Sequence, residues 1–317
     1  MISRASTRHG VFVAALLCLV GCGDDAVELD FSQRSTPPPA VSHDDSRLVV
    51  GVGAMIGPVE TYESHAGLLR YLARAVHRRP QLVQRRTYEE MNRMLISGEV
   101  DVAFICTGAY IPIRDRVTLL AVPIFDGEPS YHSILIARDP SLRSLSSLRG
   151  HSFAFTDPLS QTGRLYPIYR LRRDLQTMPR EFFSRTVYSG AHDESVHLVL
   201  DGQVDAAAVD EVVYRHLLGD HPEYAPRLHV LDRSPAFGAP PVVARAGLPD
   251  DVVQSLRAAL LASSEAPEAR RYLQDLGVDG FAETADYAFA IRVARDAQIG
   301  SGDAPEGTRA ADVRAVP

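Results

Sequence analysis

Two stretches constrain the fold more than any other feature of the chain: Ser97-Gly-Glu-Val-Asp-Val-Ala-Phe-Ile105 and Asp201-Gly-Gln-Val-Asp-Ala-Ala-Ala-Val209. In each, a glycine suited to ending a helix precedes a short apolar run suited to a buried strand. The same device used twice argues for two similar α/β lobes.

The pattern around these stretches supports that division. Arg47–Val52 reads as a parallel strand, and Thr61–His77 as a helix with Leu68, Leu69, Leu72 and Val76 on one face. A short strand at Leu82-Val83, a helix over Tyr88–Ser97 and strands over Glu99–Cys106 and Val117–Pro123 complete a first series. Tyr131–Ala137 is a strand with no helix before it, which breaks the alternation. A second series follows: a strand from Ser152, a helix from Ser160, a strand over Arg185–Tyr188, a helix from His192 and a strand over Asp205–Val209. Ser234–Ala246 is extended, and helices are expected over Asp250–Ala262 and Ala266–Leu276. Crossovers near 131–137 and 236–244 would then form a hinge. The expected organisation is a first lobe of residues 47–130 plus 237–300, a second lobe of 131–236 and a frayed tail at 301–317.

The N-terminus indicates a location. Arg4 and Arg8 precede the apolar run Val11–Val20, which is too short for a stable transmembrane helix. It ends in Leu19-Val20-Gly21-Cys22, which looks like a bacterial lipobox. Residues 1–21 would be a signal peptide, leaving Cys22 as the lipidated first residue of an extracytoplasmic, membrane-anchored protein. Residues 22–46, with Pro37-Pro38-Pro39 and no apolar periodicity, read as the lipidated cysteine and a flexible tether. Cys18 would leave with the signal and Cys22 would be acylated, so Cys106 remains alone, a buried core thiol after Val102–Ile105, and no intramolecular disulfide is expected. A formal charge of −7 without a broad basic tract argues against nucleic acid as a partner.

Chemistry concentrates in Phe153-Ala-Phe-Thr-Asp-Pro-Leu-Ser-Gln-Thr-Gly-Arg-Leu-Tyr-Pro167. A strand leads through Asp157-Pro158 into a helix start carrying Ser160, Thr162 and Gly163. There, backbone N–H groups without an intrahelical partner and small hydroxyls converge and can hold an oxyanion. A second such start is Ser189-Gly-Ala-His192-Asp-Glu-Ser195. Two facing starts suggest a pocket for a small anion. His192, Asp193, Ser195 and Ser160 include the residue types of a hydrolase triad, but no Gly-x-Ser-x-Gly elbow occurs, and no catalysis is expected. His192, His197, His216, His221 and His229 lack zincin spacing, so neither metal nor cofactor is expected. Asp210 can cap the helix Glu211–Leu218 or face a ligand, selecting a protonated oxygen or a cationic substituent. Arg164 can point into the cleft or lie on the helix surface, and the surface reading is preferred.

Taken in order, Gly53-Ala-Met-Ile-Gly-Pro-Val-Glu-Thr61, Val100-Asp-Val-Ala-Phe-Ile-Cys-Thr-Gly-Ala-Tyr110, Phe155-Thr-Asp-Pro-Leu-Ser160, Ser189-Gly-Ala-His-Asp193 and Val204-Asp-Ala-Ala-Ala-Val-Asp210 carry a resemblance. From about residue 47 to 290 the chain resembles the phosphate/phosphite/phosphonate-binding proteins of ABC importers. The resemblance implies a type II periplasmic-binding-protein fold, two α/β lobes closing on ligand, and binding of a small phosphorus oxyanion for delivery to a permease and its ATPase. Ser160, Gln161, Thr162 and Gly163 then match the turn that caps the phosphonate group, and His192 matches a histidine that also reaches it. Tyr110 matches a tyrosine bonding ligand oxygen from the first lobe. Asp210 corresponds more loosely to an acidic residue near the other end of the ligand, while Thr107 and the Met55–Tyr62 loop would line the first-lobe side. A monomer is expected. A different role for the same fold is presentation of ligand to a membrane receptor kinase.

Overall fold

The computed structural model describes residues 44–298. The expected signal peptide, Cys22, nearly all of the tether and the tail lie outside the described residues.

The chain begins with β1 (Arg47–Val52), α1 (Pro58–Ala75), β2 (Arg79–Gln84), α2 (Tyr88–Ser97), β3 (Val102–Phe104), the single turn α3 (Thr107–Tyr110) and β4 (Val117–Ile124). It crosses through β5 (Ser130–Tyr131) into β6 (Ser133–Ala137), β7 (Ser152–Phe155), α4 (Tyr166–Leu175), α5 (Pro179–Phe182), β8 (Arg185–Tyr188), α6 (His192–Leu200), β9 (Ala206–Asp210), α7 (Glu211–Asp220) and β10 (His229–Arg233). It returns through β11 (Phe237–Gly238) to β12 (Val242–Arg245), α8 (Asp250–Leu261), α9 (Pro267–Leu276), β13 (Gly280–Ala282) and α10 (Ala288–Gln298).

Two sheets result, ordered β13-β4-β12-β3-β1-β2 and β10-β6-β9-β7-β8. They share one plan. A central strand, β1 or β7, runs parallel to both neighbours. The strand arriving from the crossover enters antiparallel: β12 between β3 and β4, and β6 between β9 and β10. Each expected crossover stretch divides in two. Tyr131 pairs with Phe237 in a separate two-stranded ladder of β5 and β11, whereas pairing with the second sheet starts at Ser133, opposite Asp210. That ladder is the junction between the lobes.

The repeated sequence device has a structural counterpart. Asp101, ahead of β3, accepts the Val49 N–H at 3.0 Å, and Asp205, ahead of β9, accepts the Ser152 N–H at 2.8 Å. Each carboxylate ties its strand to the central strand of its own sheet. Asp101 is also paired in the interior with Arg245 Nε at 2.9 Å. Helix ends follow local chemistry as well. In α2, the Thr87 hydroxyl accepts the Glu90 N–H while the Glu90 carboxylate accepts the Thr87 N–H, and Gly98 closes the helix at φ 84°.

The apolar faces of α1 and α8 cover one sheet, with Leu68, Leu72, Leu256 and Leu260 packed against Leu48, Val50 and Val102. In the second sheet, the alanines of β9 alternate between two cores: Ala206 and Ala208 face one and Ala207 the other. One expectation is corrected here. Residues 237–300 were assigned together to the first lobe, but α10 packs on the second. Its face of Ala290, Val293, Ala294 and Ala297 is buried in one cluster with Leu165, Tyr169 and Leu171. The spacing of those residues demands a partner surface, and α4 supplies it.

Candidate functional site

The carboxyl ends of β1, β3, β7 and β9 all lead into turns between the lobes, where open α/β sheets place their ligands. The turn after β7 is the most specialised. Ser160 ends the extended segment, and its hydroxyl accepts the Gly163 N–H at 2.9 Å. Residues Gln161–Leu165 form a π turn before α4, with the Leu165 N–H reaching the Ser160 carbonyl at 2.9 Å. Such widened turns open the backbone at functional sites. Gly163 is required by a close approach, because a Cβ there would lie 2.2 Å from Thr156 Oγ1. Ser160, Gln161 and Thr162 are all fully buried.

His192 opens α6 and is buried. Its Nδ1 accepts the backbone N–H of Asp210 at 3.1 Å and lies 3.2 Å from the Thr156 hydroxyl. A backbone N–H can only donate, so Nδ1 carries no proton and the neutral ring holds its proton on Nε2. Burial pushes the imidazole pKa down to about 3, which keeps it neutral through the physiological range. Ser195 and Ser189 continue the network, their hydroxyls 2.6 Å apart.

Asp210 ends β9 and is buried. Its Oδ1 accepts the N–H groups of Val212 (2.7 Å) and Val213 (3.4 Å), so the capping function read from sequence is present. Burial nevertheless raises its pKa to about 7, against the lowering effect of those two N–H donors. Asp210 also lines a cavity between the lobes.

The first lobe approaches mainly through backbone. Met55 O accepts the His192 N–H (3.0 Å), the Gly57 N–H donates to Asp193 (2.8 Å), and the Tyr88 N–H donates to Asp157 (3.2 Å). The Gln161 N–H faces Cys106 Sγ at 3.4 Å. Cys106 is buried, as its sequence setting suggests, and its pKa rises to about 11 through that burial, so it is a neutral thiol. Gly108 passes so near the turn that a Cβ would meet Leu159 O at 2.2 Å.

Several buried side chains here have polar atoms with no hydrogen-bond partner in the protein: the Tyr88 and Tyr131 hydroxyls, both ends of the Gln161 amide, and Thr162 Oγ1. Interior polar groups are rarely left in that condition. They are neighbours. Burial raises the pKa of the Tyr88 and Tyr131 phenols well above the usual value, and the Asp210 carboxyl adds to it for both. Thr162 O accepts the hydroxyl of Ser133, the strand partner of Asp210.

The structure therefore brings together Ser160, Gln161, Thr162, Gly163, His192 and Asp210. Thr107 is buried, and its hydroxyl donates to Gly238 O at 2.8 Å and anchors β11. Tyr110 stands outside this group. Its half-buried ring packs on Tyr287 at 5.2 Å and on the Met91 cluster. Arg164 lies along the helix surface, its Nε on Tyr188 OH (2.6 Å) and a terminal nitrogen on Pro158 O (3.1 Å). The residues that sequence reasoning did not single out are Tyr88, Tyr131, Thr156 and Ser133. Tyr131 had one usable signal, since it begins the strand that interrupts the βα alternation.

Among the described residues, no helix is long and apolar enough to cross a membrane, and no group of three His, Cys, Asp or Glu side chains is placed to hold a metal ion. Comparison with known proteins gives a consistent result. The structure superposes on a binding protein component of an ABC phosphonate transporter from Pseudomonas aeruginosa with a TM-score of 0.71 at 23% identity, covering 80% of this chain and 86% of that one. It superposes on PhnD1 from Prochlorococcus marinus, solved with methylphosphonate, with a TM-score of 0.72 at 17% identity, covering 80% and 97%. These likenesses establish the type II periplasmic-binding-protein fold. By sequence, the chain is 27% identical over 168 residues to the phosphate-import protein PhnD of Mycolicibacterium smegmatis, covering 49% of this chain and 52% of that protein. It is 28% identical over 166 residues to the phosphonates-binding periplasmic protein of Escherichia coli, covering 51% and 48%. The chain thus spans about half the length of the curated relatives it matches. A family model described as "ABC transporter, phosphonate, periplasmic substrate-binding protein" matches residues 50–289, and over that span, most of its length, this chain belongs to that family.

Proposed function

We propose that the protein is an extracytoplasmic receptor that captures a small phosphorus oxyanion (phosphonate, phosphite or phosphate) between its lobes and delivers it to an ABC permease powered by its ATPase. One observation carries the reading: Tyr88, Tyr131, Gln161 and Thr162 hold buried polar atoms without a protein partner, and the neutral His192 meets Thr156, against which Gly163 of the π turn packs. A desolvated oxyanion needs several directed donors, and neutral hydroxyl, amide and imidazole N–H groups supply them. Ser160 still has its own proton to donate, since its oxygen accepts from Gly163. His192 offers Nε2–H because the backbone of Asp210 occupies Nδ1. Asp210, with its pKa near neutrality, can share a proton with a monoprotonated ligand oxygen. Thr107 acts through the placement of β11, and Tyr110 supports the first-lobe wall.

The same contacts favour binding over catalysis. A hydrolytic triad needs a carboxylate on Nδ1 of its histidine, and here a backbone N–H holds that position. The lipobox-like Cys22 supplies the membrane anchor, and the receptor works as a monomer.

The test is calorimetry on the full chain purified in detergent and stripped of bound ligand by unfolding and refolding. The titrants are phosphate, phosphite, methylphosphonate and 2-aminoethylphosphonate, with sulfate as control. Micromolar or tighter binding of a phosphorus compound and none of sulfate is the expected result. Thr162→Ala and His192→Ala should each weaken that binding at least about tenfold, the loss of a charge-assisted bond worth roughly 1.5–3 kcal/mol. Near-wild-type affinity in both would falsify the site.

A further inference from the structure

The cavity that Asp210 borders has a volume of about 130 Å³ and a chemistry unlike that of the oxyanion donors beside it. Its walls come from both lobes: Met55, Ile56 and Phe104 at the ends of β1 and β3, Phe125 beyond β4, and Val212 and Val213 at the start of α7. No lysine or arginine lines it. Its inner histidine is not a cation either. His65 has Nδ1 3.0 Å from Thr61 O, its ring stands edge-on to Phe104, and burial pushes its pKa down to about 4.

Two residues of the cavity wall also bond His192. Met55 lines the cavity and receives the His192 N–H on its carbonyl. Asp210 lines it and gives its backbone N–H to His192 Nδ1. A group attached to a phosphorus atom held by the π turn and His192 would leave in this direction. A second phosphate would find only His216, whose half-exposed ring lies 3.4 Å from the Asp220 carboxylate. An ammonium group would find mainly apolar side chains, with Asp210 capping α7 through Oδ1 and, in the reading above, committed to the ligand's oxyanion, and with Asp275 exposed.

We propose that the cavity receives an uncharged apolar substituent on the phosphorus atom, making the preferred ligand an alkyl- or arylphosphonate. The inference rests on the oxyanion-receptor reading above and goes further by naming the organic half of the ligand. The size is appropriate, because an apolar cavity of about 150 Å³ accommodates benzene. A chain of about four carbons or a phenyl ring fits the same space.

The test is a calorimetric ladder on the full chain in detergent: phosphate, methylphosphonate, propylphosphonate, butylphosphonate, phenylphosphonate and 2-aminoethylphosphonate. Affinity should rise about fourfold for each methylene buried, so butylphosphonate should bind at least about tenfold more tightly than methylphosphonate. Val213→Phe, which fills the cavity, should bring butyl- and phenylphosphonate down to the level of methylphosphonate. Equal or weaker binding of the butyl and phenyl compounds by the wild type overturns the inference, as does tighter binding of 2-aminoethylphosphonate than of propylphosphonate. Both of those results leave the receptor reading standing. Failure of every phosphorus compound to bind is the distinct outcome that removes the receptor reading along with this one.

Discussion

The two lobes are built on one plan yet contribute different chemistry to the cleft. After β2, α2 is closed off by the reciprocal Thr87–Glu90 cap, whereas after β8 the corresponding helix α6 starts at Ala191 with no side-chain cap and presents His192. After β1 the first lobe supplies Met55 O and the Gly57 N–H, both backbone groups. After β7 the second lobe supplies the hydroxyls and the π turn of Thr156–Gly163. The second lobe thus holds the hydroxyls and imidazole of the proposed oxyanion site, and the first faces them with main chain and Tyr88. An identical scaffold can be specialised at its turns without disturbing its sheets, because the strands bury backbone pairing and the turns carry the variable chemistry.

The strand-tying aspartates give the largest expected contrast between the lobes. Arg245 ends β12 and Arg138 follows β6, but Arg245 meets Asp101 in the interior while Arg138 reaches the Leu200 carbonyl and Asp205 is half-exposed beside His151. Arg245→Ala removes the arginine from a buried carboxylate and should cost about 3–5 kcal/mol, although the Val49 N–H remains on Asp101. Asp205→Ala, at an exposed pair, should cost about 1 kcal/mol. Urea denaturation measures both, and equal costs would show that the two ties are equivalent after all.

Closure comes next in size. Gly108→Ala places a methyl group against the Leu159 carbonyl across the cleft. Ligand affinity should fall about tenfold or more as the closed, competent population shrinks. Small-angle scattering should show a more open molecule, and a variant that still closes and binds normally would remove Gly108 from the closure argument.

The cleft's two buried titratable groups should act in opposite directions. Asp210 has a raised pKa, about 7, so its contribution to stability is present at and below about pH 4 and is lost as pH rises toward 7. Glu211 pushes in the same direction as its burial, while Arg215 and the N–H groups of Val212 and Val213 oppose it. His192, lowered to about 3, favours folding above its unfolded pKa and destabilises as pH falls from about 6.5, and His65 acts in the same sense. Between those limits the effects offset. Asp210→Asn should therefore expose a melting temperature that climbs from pH 4 to 6.5 and does not decline toward pH 7. A profile parallel to the wild type's would contradict the assignment.

The smallest effect separates scaffold from site. Thr87→Ala removes the α2 cap and should cost about 1 kcal/mol of stability with ligand affinity unchanged. Its counterpart lobe shows the reverse pattern at the same point of the plan, where losing His192 should chiefly affect binding.

Much of this plan was legible in the residues. Buried strands such as Arg47–Val52, the paired Gly-x-Val-Asp stretches and the hydroxyl-rich helix start after Asp157-Pro158 announce themselves through period, capping chemistry and turn composition. The limits were equally physical. The apolar stripe of α10 states that the helix needs a partner, but both lobes offer helices, so the choice of α4 depends on tertiary fit. Tyr110 and Tyr131 look alike in sequence. Only the antiparallel pairing of β5 with β11, and the start of β6 pairing opposite Asp210, turns one phenol into the cleft. Asp210 could be read as cap or as site residue, and it proves to be a cap that also borders the cavity.

The short ladder between β5 and β11 has a thermodynamic consequence. It pairs Phe237 with Tyr131 and Gly238 with Ser130, the return crossing runs straight on into Pro240 and Pro241, whose φ angles are fixed, and the third crossing, from β13 to α10, is short. Few torsions are therefore available to change when the lobes swing, and little backbone entropy is lost on capture. The heat capacity change on binding should then report the apolar surface sealed between two nearly rigid bodies, with almost no contribution from folding of the chain.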